Sequence, residues 1–269
     1  MRLLRKWGYY AWSLLEMGFG FRDWGKLTRL FLSKTQQKPV LLRLRKAPTQ
    51  MLVRSRMDAW SVKEAFLDRF YERYGSKIQA DWHIVDIGAA IGEFTIFAAR
   101  KAPMGQVVAF EPNGDSFLLL SENLKLNAVN NARAVNAGVW SKAGAMSLDL
   151  ANAEPLQAQT QFTEEVDRPG FGIPVITLGQ VIADYLPAGL DLLKLDCEGA
   201  EYPILFSADQ SVLNLVKRII MEYHDLDARQ NHQTLADYLR EAGYQVRLVP
   251  NPVHAEIGYL YACRPEKVV

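Results

Sequence analysis

Cysteine is scarce: Cys197 and Cys263 are the two thiols among 269 residues. One pair makes neither a disulfide framework nor a thiolate metal site, so both are expected to be reduced and buried in apolar strands. A cytoplasmic setting follows as an expectation. Long apolar runs are missing as well. Tyr9 to Phe21 is interrupted by Glu16 and closed by Arg22 and Asp23, short of the roughly 18 residues that a membrane-crossing helix needs. No unbroken apolar stretch with a small-residue cleavage site follows the first charges, so a secretory signal is not expected. Internal repeats and low-complexity tracts are also absent.

Net charge is only +1, yet it is unevenly spread. The first 56 residues hold 13 Lys/Arg against Glu16 and Asp23, a balance of +11, and the remainder carries −10. Such asymmetry marks an attached segment with its own electrostatic task. Residues 1–57 therefore read as a basic, aromatic extension and 58–269 as the main domain. Residues 1–35 are expected to be helical, with Trp7, Trp12, Trp24, Leu14, Leu15, Leu27 and Leu30 set among Arg2, Arg5, Lys6, Lys26 and Arg29. Three readings stay open: a helix packed on the protein's own body, peripheral contact with a membrane surface, or contact with a partner. Nucleic acid is disfavoured, because the acidic body would repel a polyanion beside the site.

Residues 38–56 alternate apolar and basic around Pro48, which predicts a hairpin. Val62, Phe66, Phe70 and Tyr74 recur at helical spacing over 58–74, with Gly75 as the stop. Strands then alternate with helices. The pattern predicts strands over 83–87, 106–110, 132–139, 190–195 and 216–223, a short extra one over 145–150, and a terminal pair over 244–249 and 257–263. Helices are expected over 93–101, 116–127, 177–185 and 234–242. This is the pattern of a doubly wound α/β fold with a mostly parallel sheet and an antiparallel edge. Residues 151–174 lack any period and are expected to form a loop or lid on the substrate side.

The strongest motif is HIVDIGAAIGEFT, residues 83–95, which sets Asp86, Gly88 and Gly92 between a strand and a helix. Glycine there lets the backbone approach a ligand at a helix N-terminus. The spacing is not G-x-G-x-x-G, and Glu93 opens the helix, where it would repel a pyrophosphate. A nicotinamide dinucleotide is thereby disfavoured, and S-adenosylmethionine, which has no phosphate, suits the turn better. Glu111 ends the next strand in VVAFEP and is placed to accept hydrogen bonds from ribose hydroxyls.

DIGAAIGEFT, AFEP, ENLKLN (122–127), LLKLDCEGAEYPIL (192–205) and IIMEYH (219–224) stand in the order of the FkbM-type methyltransferases, which the chain resembles over roughly residues 58–263. The resemblance implies a class I, Rossmann-like fold with a seven-stranded sheet, S-adenosylmethionine as cofactor, and O-methylation of a sugar, glycan or natural-product hydroxyl. It implies cofactor contact at Asp86, Gly88, Gly92 and Glu111, with Ala90, Pro112 and Asp196 beside them, and an active-site edge at Asp196 to Glu201. Where the family usually has Asn, this chain has Ala90, which would remove a hydrogen bond of about 0.5–1.5 kcal/mol.

Ligands of open α/β sheets sit beyond the C-terminal strand ends. Asp196, Glu198 and Glu201 follow one such strand, and Glu222, His224 and Asp225 end another. Asp196, Glu222 and His224 are the expected catalytic trio, His224 because its ordinary pKa lies near neutrality. A divalent metal could be held by Asp196, Glu198, Glu222 and His224, but no spacing enforces one, and none is expected. Lys194 is expected to pair with a carboxylate, and Glu201 has a simple alternative role at a helix N-terminus. The rival from another class is a catalytically silent module that holds a partner or membrane through its basic N-terminus.

Overall fold

The structure, a computed structural model, describes residues 2–32, 38–146, 172–251 and 253–265. The chain opens with α1 (Arg2–Gly20) and α2 (Trp24–Leu32), so the single helix expected over 1–35 is broken. The break has a cause: Phe21 bridges Leu44, and the Arg22 amide donates to the Arg43 carbonyl. The Asp23 carboxylate then accepts from Arg43 at 2.6 and 2.9 Å. The hairpin β1 (Val40–Arg43) and β2 (Gln50–Val53) forms as expected.

Next comes α3 (Arg56–Lys63), which runs into a π-helical turn at Glu64–Asp68, a left-handed Arg69 and α4 (Phe70–Tyr74). One continuous helix was expected over 58–74. Buried Lys63 explains the widened turn, since its ammonium reaches Asp68 at 2.7 Å, Ser13 at 3.0 Å and Glu16 at 3.4 Å. A π-turn carries one extra residue and redirects those that follow, a frequent device near functional sites.

The main domain contains β3 (His83–Ile87), α5 (Glu93–Lys101), β4 (Gln106–Phe110), α6 (Gly114–Leu126), β5 (Ala132–Val135), β6 (Gly138–Val139), β7 (Gly144–Met146), β8 (Ile173–Ile176), α7 (Leu178–Tyr185), β9 (Leu192–Leu195), α8 (Glu201–Phe206), α9 (Gln210–Leu213), β10 (Arg218–His224), α10 (His232–Glu241), β11 (Gln245–Pro250) and β12 (Ile257–Cys263). Seven strands form one sheet in the order β11-β12-β10-β9-β3-β4-β5. Only β12 runs against the rest, inserted between β10 and β11. The strand expected over 132–139 divides at Asn136, and β6 leaves the main sheet to pair with β8 in a small second one, with β7 on its other side. The end of the extra strand expected over 145–150, and most of the loop expected over 151–174, lie outside the described residues.

The extension shares a core with the domain. Met17, Phe21, Leu27, Leu30, Leu42 and Met51 pack in one buried cluster with Ile91, Ile96, Leu119 and Leu120. The asparagines of ENLKLN explain part of this docking. Asn123 accepts from the Leu52 amide at 2.7 Å and donates to its carbonyl, and Asn127 does the same for Gln50. Two side-chain amides one helical turn apart thus pair with the free edge of β2 as a strand would.

A candidate active site at the switch point of the sheet

β4 lies on one side of β3 and β9 on the other, so the chain reverses its winding between β3 and β9. A crevice opens there beyond the strand ends. It holds a cavity of about 900 Å³ lined by Gly88, Ala90, Glu93, Glu111, Pro112, Asp196, Glu198, Glu222 and His224. The extension also contributes Tyr9, Tyr10, Leu14 and Phe31 to the lining, joined by Trp60 of α3 and Glu64 of the π-turn.

The turn between β3 and α5 has positive φ at Gly88 (75°), Ala90 (48°) and Gly92 (89°). At Gly88 a Cβ would stand 1.9 Å from the Asp196 carbonyl oxygen, so this crossing requires glycine. Ala90 has no such licence: a left-handed alanine costs roughly 1 kcal/mol, and asparagine tolerates that region better. This accounts physically for the resemblance's asparagine at this position. Gly92 lines no part of the cavity; a Cβ there would meet Leu120 Cδ1 at 2.5 Å, so it serves the packing of α5 on α6.

Asp86 also stays behind the wall. It is fully buried, accepts from Thr95 Oγ1 at 2.6 Å and pairs with Lys194 Nζ at 3.0 Å. Lys194 donates to the Gly88 carbonyl at 2.8 Å and lies 3.8 Å from Asp196. Burial opposes its charge, yet Asp86, Asp196 and Glu93 hold its pKa above the ordinary lysine value. The expected lysine–carboxylate pairing is therefore present, and it clamps the β3 turn to β9.

Glu111 reaches the cavity with both oxygens occupied, accepting from the amides of Ala90 at 2.8 Å and Asn113 at 2.9 Å. Burial pushes its carboxyl up to about 7 against those amides. Burial likewise raises Glu93 to about 8, with Lys194 pulling the other way. Glu93 Oε2 is buried at the cavity wall without a hydrogen-bond partner. An orphaned carboxylate oxygen beside a cavity is an acceptor reserved for a ligand donor or a cation.

The second half of the site holds the expected trio, in altered states. Asp196 lines the cavity and accepts from the Tyr71 hydroxyl at 3.0 Å. Burial, with Asp196 and Glu64 nearby, raises the Glu222 carboxyl well above the ordinary range. Burial also raises Glu64, whose Oε1 accepts from Trp60 at 2.8 Å. His224 overturns the reason for which it was chosen. Burial disfavours its charge, but Glu201 at 3.5 Å and Glu198 at 3.6 Å hold it up at about 10. At neutral pH it is an imidazolium and cannot take a proton. Glu201, fully buried, is kept below its ordinary value despite burial by His224 and the amides of Cys197 and Gly199. Burial pushes Glu198 up to about 7, against His224.

Cys197 sits in the turn after β9 and lines the cavity, contrary to the strand expected for it, whereas Cys263 ends β12. Both thiols are free. Among the described residues, no group of three or more His, Cys, Asp or Glu side chains is arranged to hold a metal ion. The extension's wall residues, Tyr71 and the 251–257 loop with His254 were not legible in advance. Only the aromatic density of residues 7–31 hinted at them.

A family model described as the methyltransferase FkbM domain matches residues 86–246. The chain belongs to the FkbM methyltransferase family. It is 31% identical over 189 residues to the methyltransferase sdnD of Sordaria araneosa, covering 60% of this chain and 72% of that one. It is 27% identical over 221 residues to the 31-O-demethyl-FK506 methyltransferase FkbM of Streptomyces tacrolimicus, covering 72% and 84%. Among solved structures, methyltransferase FkbM from Methylobacillus flagellatus KT aligns with a TM-score of 0.47 at 16% identity, over 76% of this chain and 53% of that one. The protein is thus a methyltransferase with S-adenosylmethionine as its cofactor. The cavity suits that group: the orphaned Glu93 oxygen and the carboxyls around it favour a ligand carrying sulfonium and ammonium charge. Gly88, Ala90, Glu111 and Pro112 line this cavity.

Proposed function

We propose that this FkbM-family enzyme O-methylates a hydroxyl on a sugar, glycan or natural-product acceptor. The observation that carries the reading is the continuity of the cavity. Gly88, Ala90 and Glu111, the aromatic side chains Tyr9, Tyr10 and Trp60, and Asp196 and Glu222 all line this one cavity. Aromatic faces beside carboxyl groups suit a polyhydroxylated acceptor, whose C–H faces stack while its hydroxyls find partners.

When bound, S-adenosylmethionine would supply an electrophilic methyl carbon on its sulfonium, which the acceptor oxygen would take as the sulfur leaves as a neutral thioether. The protein's work is alignment and proton removal. Asp196 receives the hydroxyl proton, held in place by Tyr71 and the Lys194 ammonium. Glu222, whose carboxyl is raised by burial, offers the acceptor a hydrogen-bonding partner. His224 remains an imidazolium that positions Glu198 and Glu201.

Asp196→Asn should leave cofactor affinity within a few-fold and lower kcat about 10²–10⁴-fold, the usual worth of a positioned base. Calorimetry and methyl transfer to an acceptor panel would measure the two. Full turnover in the variant would remove Asp196 from the proposed role. Product whose new methyl group is bonded to nitrogen rather than oxygen would overturn O-methylation.

A further inference from the structure

The outer face of α1 is built the wrong way round for a helix in water. Residues at helical spacing on its solvent side are Trp7, Ala11, Trp12, Leu15, Gly18 and Phe19, all exposed, and none is charged. Trp7 is 67% exposed, Trp12 62% and Phe19 78%, and α2 adds Trp24 at 62% and Leu32 at 79%. Single exposed apolar residues need no explanation, but a contiguous aromatic face does. The inner side of α1 is already used, with Ser13 and Met17 buried and Tyr9 and Tyr10 on the cavity wall.

Charge selects the occupant. Both acids of the segment sit in ion pairs, Glu16 with Lys63 at 3.4 Å, which it shares with Asp68, and Asp23 with Arg43 at 2.6 Å. The exposed charge beside the aromatic face is basic: Arg22, Lys26 and Arg29, with Lys46 on the adjoining hairpin loop. Among the described residues no helix is long and apolar enough to cross a membrane. Tryptophans, leucines and cations on one surface, without a spanning segment, match the headgroup layer of an anionic bilayer. A protein partner would demand a shaped apolar surface and would gain little from the ring of cations.

We infer that the outer face of α1 and α2 docks on an anionic lipid surface. Docking places the helix between the bilayer and the cavity it walls. The full chain should co-sediment with phosphatidylcholine vesicles containing about 30 mol % phosphatidylglycerol, less with pure phosphatidylcholine, and less again as salt is raised. A variant combining Trp7→Ser, Trp12→Ser and Phe19→Ser should bind at least about tenfold more weakly. None of these three residues lines the cavity, so its affinity for S-adenosylmethionine should be unchanged, which checks the fold. Lys26→Glu with Arg29→Glu should remove the preference for anionic vesicles. Wild-type protein that stays in the supernatant with both vesicles would overturn the inference. So would vesicle binding that survives the triple variant, or a concentration-dependent dimer that the triple variant abolishes, which would assign the face to a second copy.

Discussion

The two ends of the cavity are built on different principles. The residues proposed to hold the cofactor come from contiguous turns, at 88–93 after β3 and 111–113 after β4, each tied to the sheet by a backbone or carboxylate contact. Those proposed to meet the acceptor come from α1, α2, α3 and the π-turn, with Asn251, Val253, His254 and Ile257 lining the same cavity, segments that meet only in the folded chain. On this proposal a chemically fixed ligand is met by a local device. A variable acceptor is met by parts that can be exchanged without disturbing that device.

The clamp behind the cofactor end offers the largest contrast. Lys194→Met would strand the fully buried Asp86 carboxylate, and breaking such a pair costs about 3–5 kcal/mol. Denaturant unfolding should show that loss, together with failure to bind cofactor. A change under 1 kcal/mol would mean that the turn does not depend on the clamp.

At the acceptor end, Trp60→Leu should raise acceptor KM about tenfold while the cofactor dissociation constant stays constant, since one aromatic stacking face is lost. Equal loss of both affinities would merge the two ends into one unit and break the comparison.

A smaller effect should appear in pH dependence. Glu111 and Glu93 titrate near 7 and 8 because burial disfavours their charge, and a cationic ligand favours the ionised forms. Protons must therefore leave as the cofactor binds, so affinity should rise between pH 6 and 8, by at most about tenfold per unit for each proton released. S-adenosylhomocysteine lacks the sulfonium and should show a shallower slope. The same raised values work against the empty protein. The folded state binds more protons than the unfolded one in this window, so its melting point should fall as pH rises from 5 to 8. Parallel slopes for the two ligands would detach these carboxyls from the sulfonium.

Legibility in the sequence followed the same division. The β3–α5 turn, Glu111 and the strand–helix alternation could be read because each lies within one short segment with its own period or glycine spacing. The break of α1 from α2 could not, since it depends on Asp23 meeting Arg43 across the hairpin. The division of the 132–139 strand at Asn136 likewise follows a tertiary contact, its amide donating to the Glu111 carbonyl at 2.8 Å. His224 lines the cavity, and its raised pKa could not be read from the sequence. Only the fold reveals Glu201 and Glu198 on either side of its ring.

The most direct test of the account is isothermal titration of S-adenosylmethionine into the wild-type protein and Glu111→Ala. The wild type should bind in the micromolar range, and the folded variant about 30-fold or more weaker, because the Ala90 and Asn113 amides lose their anchor and the ribose its acceptor. Equal affinity in the two proteins would contradict the placement of the cofactor at this end of the cavity.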